Sequence, residues 1–130
     1  EQMALAEFCK ENFNSHVKTL TNKLQKKSEA ICNALDKYFG ASAEYKKPDG
    51  GIFVWVDMHK KVDTSRLYEL ALKDGVAINP GNEWSINKSG RHKMRLCFGN
   101  PSIKEIDEGI KRLAIICRKE FGTPTKIANL

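Results

Sequence analysis

No run of apolar residues in this 130-residue chain approaches the ~20 that a membrane-spanning helix needs. No signal-peptide pattern opens it either. There is no C-x-x-C, and His16, His59 and His92 stand apart from Cys9, Cys32, Cys97 and Cys117. That spacing offers no zinc site, and no metal is expected. Neither G-x-x-x-x-G-K-[ST] nor G-x-G-x-x-G occurs, so the chain lacks both phosphate-cradling loops. The G-x-S-x-G elbow of a serine nucleophile is missing as well. Glu105, Asp107 and Glu108 fall in the first turns of a helix, where carboxylates favour the dipole. Asp57 and Asp63 read as a strand end and a helix cap, not as a catalytic pair. No lysine sits in apolar surroundings that would lower its pKa for Schiff-base chemistry. Taken alone, the chain is catalytically incomplete.

What is present describes one domain, long enough to bury a core without staples. An apolar fraction of 41% and a charged fraction of 29% are ordinary for a globular chain. The net charge of +6 comes from 22 Lys+Arg against 16 Asp+Glu, and lysines cluster at Lys18, Lys23, Lys26 and Lys27. A basic balance invites nucleic acid, but no base-reading motif accompanies it, and the cluster reads as a solvated helix face. Cys32, Cys97 and Cys117 each fall on an expected apolar face, as free thiols do in a reducing compartment, most simply the cytosol.

Hydrophobic periodicity sets out the elements in order. Residues 1–12 read as the end of a helix, with a break at 12–15 where Asn14 or Ser15 can cap the next. A long helix then runs to about Phe39. Its stripe is Val17, Leu20, Leu24, Ile31, Leu35 and Tyr38, with Ser28 in one place. A short strand is expected at 42–46 and a glycine-rich turn at 47–51. Ile52-Phe53-Val54-Trp55-Val56 is apolar throughout, which predicts a central strand covered on both faces. Asp63 or Thr64 caps a helix burying Leu67, Leu70 and Ala71, ended by Gly75. Val76-Ala77-Ile78 reads as a brief strand, and 82–92 as a loop with Trp84 its one large anchor. Ser102-Ile103-Lys104-Glu105 is a capping box. The helix it opens buries Ile103, Ile106, Ile110, Leu113 and Cys117, and ends at Gly122 and Pro124. This order predicts an α+β two-layer sandwich: a small, mainly antiparallel sheet with helices packed on one side.

One strand carries an unusual demand. In Lys93-Met94-Arg95-Leu96-Cys97-Phe98, alternation puts Met94, Leu96 and Phe98 on one face and Arg95 on the other. A guanidinium cannot shed its charge to escape burial, so Arg95 asks for a carboxylate or phosphate. An internal side chain or a ligand would satisfy it.

Four stretches occur in order: Pro48-Asp49-Gly50-Gly51-Ile52-Phe53-Val54-Trp55-Val56, Gly75-Val76-Ala77-Ile78-Asn79-Pro80-Gly81, Met94-Arg95-Leu96-Cys97-Phe98 and Glu108-Gly109-Ile110-Lys111-Arg112-Leu113. Together they resemble the C-terminal small domain of class I/II, fold-type I aminotransferases, which use pyridoxal phosphate. The nearest branch holds 2-aminoadipate and kynurenine-type enzymes and the aminotransferase-like half of MocR regulators. The resemblance implies three segments: 1–15 the end of a preceding helix and connection, 16–122 the small domain, and 123–130 a tail. It implies that Arg95 forks the substrate α-carboxylate, a bidentate task that suits a planar guanidinium. It also implies that Gly51, with Gly50, shapes a turn near the site, and that Trp84, following Pro80-Gly81, lines the loop over the substrate; a plain hairpin glycine pair and a loop pin are the alternatives. The cofactor and its Schiff-base lysine would belong to a large domain preceding Glu1, so the chain alone should be inactive, with no catalytic or cofactor-binding residue of its own. Amino acids and 2-oxo acids are the implied partners, in a cytoplasmic homodimer that meets neither membrane nor nucleic acid through this domain. Two other readings stand beside it: the effector-sensing half of a MocR-type regulator, and a basic module binding single-stranded RNA through Phe53 and Trp55.

Overall fold

A computed structural model describes residues 1–87 and 89–127. The order is α1 (Gln2–Tyr38), β1 (Ala43–Tyr45), β2 (Phe53–Met58), α2 (Thr64–Lys73), β3 (Asn79–Pro80), β4 (Lys93–Cys97) and α3 (Ile103–Phe121). The sheet runs β1-β2-β4-β3, every pairing antiparallel. Helices cover one face, forming the two-layer α+β sandwich expected from the element order. Between the layers lie Leu35, Phe39, Val54, Val56, Leu67, Met94, Phe98 and Leu113, all essentially without exposure.

The first two helices expected separately are one. Residues 12–15 contain neither proline nor glycine, and their polar side chains turn back onto the helix instead of capping a new one. Asn12 Nδ2 donates to the Phe8 carbonyl at 3.1 Å, and Ser15 Oγ to the Asn12 carbonyl at 2.9 Å. At ~1.5 Å per residue α1 is about 55 Å long, against roughly 20 Å for the six-residue β2. Half the helix therefore extends beyond the sheet. Its apolar stripe divides accordingly: Ile31, Leu35 and Tyr38 are buried, whereas Val17 and Leu20 are exposed.

β2 is central in the sheet, but it is not covered on both faces. Val54, Val56 and Met58 point into the core, while Phe53 and Trp55 are 37% and 45% exposed. Residues 76–78 form no strand; the Val76 amide returns to the Ala71 carbonyl and closes the end of α2, so the ladder begins only at Asn79. Ile103 is exposed because it stands at the first position of α3, ahead of the turns that reach the core.

The helix ends follow their sequence signals. Asp63 caps α2 through the Ser65 and Arg66 amides, and Ser102 with Glu105 closes a reciprocal capping box on α3. Gly122 ends α3 with φ of 59°, the left-handed cap glycine permits. Beyond it the chain stays against the body: the Lys126 amide donates to the Tyr38 carbonyl and Ser42 Oγ to that of Pro124. The last part of the expected tail, 128–130, lies outside the described residues.

Candidate functional site

Strand alternation leaves the second face of the sheet without a helix over it. Along β2 it presents Phe53, Trp55 and Asp57; along β4, Lys93, Arg95 and Cys97. Register sets these in rows. Trp55 stands opposite Arg95, and Arg95 opposite Asn79, across three strands. In the neighbouring row Glu44 faces Asp57 and Asp57 faces Lys93.

Arg95 is half-buried at the middle of this face. The carboxylate on the adjoining row, Asp57, is taken by an ion pair with Lys93. Among the described residues Arg95 forms no salt bridge, whereas Arg91 and Arg112 each have one and Arg66 has two. Its Nε is buried with no hydrogen-bond partner. A buried donor without an acceptor costs roughly 1–3 kcal/mol. What the guanidinium does have is aromatic contact: its central carbon lies 4.1 Å from the Phe53 ring centroid and 3.9 Å from that of Trp84.

Trp84 therefore does not anchor its loop to the core; it is 54% exposed and packs over Arg95. It ends a single 3₁₀ turn, Gly81–Trp84, that follows β3 directly. Two glycines hold the base of this loop. A Cβ on Gly90 would stand 2.3 Å from the Gly81 carbonyl group, and one on Gly81 would stand 2.5 Å from the Gly90 oxygen. Backbone meets backbone there, which only glycine allows. Trp84 also meets Trp55 edge-on, with centroids 6.3 Å apart and planes at 85°.

Of the sequence candidates, then, Arg95 and Trp84 come together. Gly51 stands apart, in a hollow of about 340 Å³ between its loop and α1 that Ser28, Lys47 and Phe98 also line. Sequence reasoning singled out Phe53 only for the RNA-binding alternative, not beside Arg95, and did not single out Gly90. Phe53 was legible as a strand residue, but its exposure depends on which face the helices cover. Cys97, expected on an apolar face, is exposed beside Arg95, because alternation gives the two residues the same side. Asp57 and Asp63 are indeed a strand residue and a cap. The described residues contain no His/Cys/Asp/Glu group that could hold a metal, and no helix among them is long and apolar enough to cross a membrane.

Comparison with known proteins bears on this face. The family model for aminotransferase class I and II matches residues 1–113. The 2-aminoadipate transaminase of Thermus thermophilus is 31% identical over 112 residues, 86% of this chain and 28% of that protein. An HTH-type transcriptional regulator of Bacillus subtilis, YisV, is 30% identical over 119 residues, 91% of this chain and 24% of that protein. Among solved structures, α-aminoadipate aminotransferase from Thermus thermophilus, complexed with N-(5'-phosphopyridoxyl)-L-leucine, superposes with a TM-score of 0.84 at 30% identity. That match covers 91% of this chain and 30% of that one. The kynurenine aminotransferase of Pyrococcus horikoshii gives 0.77 at 30% identity, over 85% and 27% of the two chains. This chain spans about a quarter of the length of the curated relatives it matches.

Proposed function

The chain belongs to the class I and II aminotransferase family, and on that premise we propose that it holds the substrate α-carboxylate in an enzyme that moves an amino group from an amino acid to a 2-oxo acid. One observation carries the reading. Arg95 presents a guanidinium on the open face of the sheet with no carboxylate partner among the described residues. A planar fork of donors in that condition suits a two-oxygen anion. The anion an aminotransferase substrate always carries is its α-carboxylate.

Pyridoxal phosphate is the cofactor this family membership implies, and the residues of this chain do not fit it. None of the described lysines is buried; Lys27 and Lys111 are half-buried, and Lys27 is engaged with the Gly99 and Asn100 carbonyls. Within the proposal the cofactor, which supplies the electron sink when bound, is held by the rest of the full-length protein. Arg95 orients the substrate toward it, and the Trp84 loop borders the entry. The segments 1–15, 16–122 and 123–130 remain the proposed division, with Gly51 shaping a turn on the substrate side. Four free thiols are consistent with a cytoplasmic home. A homodimer is the proposed assembly.

Transamination kinetics of the full-length protein test this reading. Arg95→Ala should lower kcat/KM for amino-acid donors by an amount equal to ~2–5 kcal/mol, the usual result of removing one partner of a buried charge pair. Unchanged kcat/KM would exclude the role. A second reading is supported by the regulator YisV, which is as similar in identity as the enzymes. In it the same arginine holds an effector without turnover. Amino-acid binding with no amino-group transfer, in a protein that also binds DNA, would favour that reading.

A further inference from the structure

The two rings beside Arg95 arrive from different directions. Phe53 belongs to β2 and Trp84 to the turn after β3, and β4 lies between those two strands. Each ring centroid is about 4 Å from the guanidinium carbon, the distance of a cation set against an aromatic face. Neither ring is used to fill the core, since Phe53 is 37% and Trp84 54% exposed. The edge contact with Trp55 and the Gly81–Gly90 crossing together set where Trp84 can stand.

We infer that Phe53 and Trp84 are positioning residues for Arg95: they hold the guanidinium flat between them and leave its terminal Nη edge as the way in for a carboxylate. Stacked faces admit no ligand, and Nε is buried, so an approach spanning Nε is closed. What remains is an in-plane, end-on approach to the two Nη groups. A planar carboxylate meets that geometry with both oxygens. The inference rests on the carboxylate-holding reading above and adds the residues that enforce it.

The test uses steady-state kinetics of the full-length protein with four variants: Trp84→Leu, Phe53→Leu, Trp84→Phe and Arg95→Lys. An arginine–aromatic contact sets the expected scale, so each leucine variant should raise KM for the amino acid about tenfold. Because the carboxylate contact is present in ground and transition states alike, kcat should change less than about twofold. Trp84→Phe, which keeps an aromatic face, should restore KM to within about threefold of wild type. Unchanged KM in both leucine variants while Arg95→Lys loses binding overturns the positioning role and leaves the carboxylate reading intact. Unchanged KM in all four overturns both. A leucine-level KM in Trp84→Phe also overturns the inference, because a residue that merely pins the loop gives that result. Should a leucine variant fail to fold, nitrogen-labelled arginine in the wild-type full-length protein decides. Two ring currents place the Arg95 Hε resonance upfield of the other arginines, and an ordinary position contradicts the inference.

Discussion

At the scale of single residues, the contrast between Arg95 and the other charged groups is the informative one. Asp57 is matched to Lys93, Arg66 to Glu69 and Glu120, and Arg112 to Glu108; Arg95 alone among these is set against aromatic rings and an open face. Asp107 shows what an engaged carboxylate does here. It accepts from Lys37 Nζ at 3.0 Å and from the Tyr38 hydroxyl at 2.8 Å. These contacts, Lys37 foremost, hold its carboxyl below the ordinary 3.8. A lowered folded-state pKa means the folded protein binds fewer protons than the unfolded chain. The contribution of Asp107 is therefore in place above pH 3.8 and is lost as pH falls through the lower folded value. Asp107→Asn should flatten the acid limb of Tm against pH relative to wild type. Parallel limbs would contradict the assignment.

Elements explain why the loop after β3 matters. β3 contributes only two residues to the ladder, so the loop carrying Trp84 cannot rely on strand pairing for its place. The Gly81–Gly90 crossing supplies the constraint instead. Gly90→Ala forces a Cβ into the Gly81 backbone and should cost about 1–3 kcal/mol, the usual scale for overfilling a packed site. A lowered denaturation midpoint with altered tryptophan emission is the expected outcome; a variant matching wild type in both would show that the crossing is dispensable. This contact was invisible in the sequence, where Gly81 and Gly90 are two turn residues in a loop. Local signals fared better: Asp63, Ser102 and Gly122 each mark a helix end through chemistry that involves only near neighbours. The alternation of Met94, Leu96 and Phe98 likewise placed Arg95 on the right face. One local expectation failed, because Asn12 and Ser15 bond three or four residues back onto their own helix where a cap was expected. The long-range failure is at 52–56, where nothing local says that the apolar run would be covered from one side only.

For the molecule as a whole, two surfaces remain open: the sheet face bearing Arg95, and the first half of α1, where Phe8, Phe13, Val17 and Leu20 are exposed. An apolar stripe in this state is normally covered by something, and under the proposed function the rest of the full-length protein covers it. The same account says that the chemistry resides elsewhere. The 130-residue chain mixed with pyridoxal phosphate should give no absorbance beyond that of surface lysines at random. A stoichiometric, saturable adduct would mean the chain holds a cofactor site of its own.

The central claim, that Arg95 holds the substrate carboxylate, is met most directly by a crystal structure of the full-length protein with a bound amino-acid substrate analogue. The account predicts both carboxylate oxygens at about 2.7–2.9 Å from the two terminal nitrogens of Arg95, with Phe53 and Trp84 still against the guanidinium faces. A carboxylate bound by another residue, with Arg95 turned to a protein Asp or Glu, would contradict it.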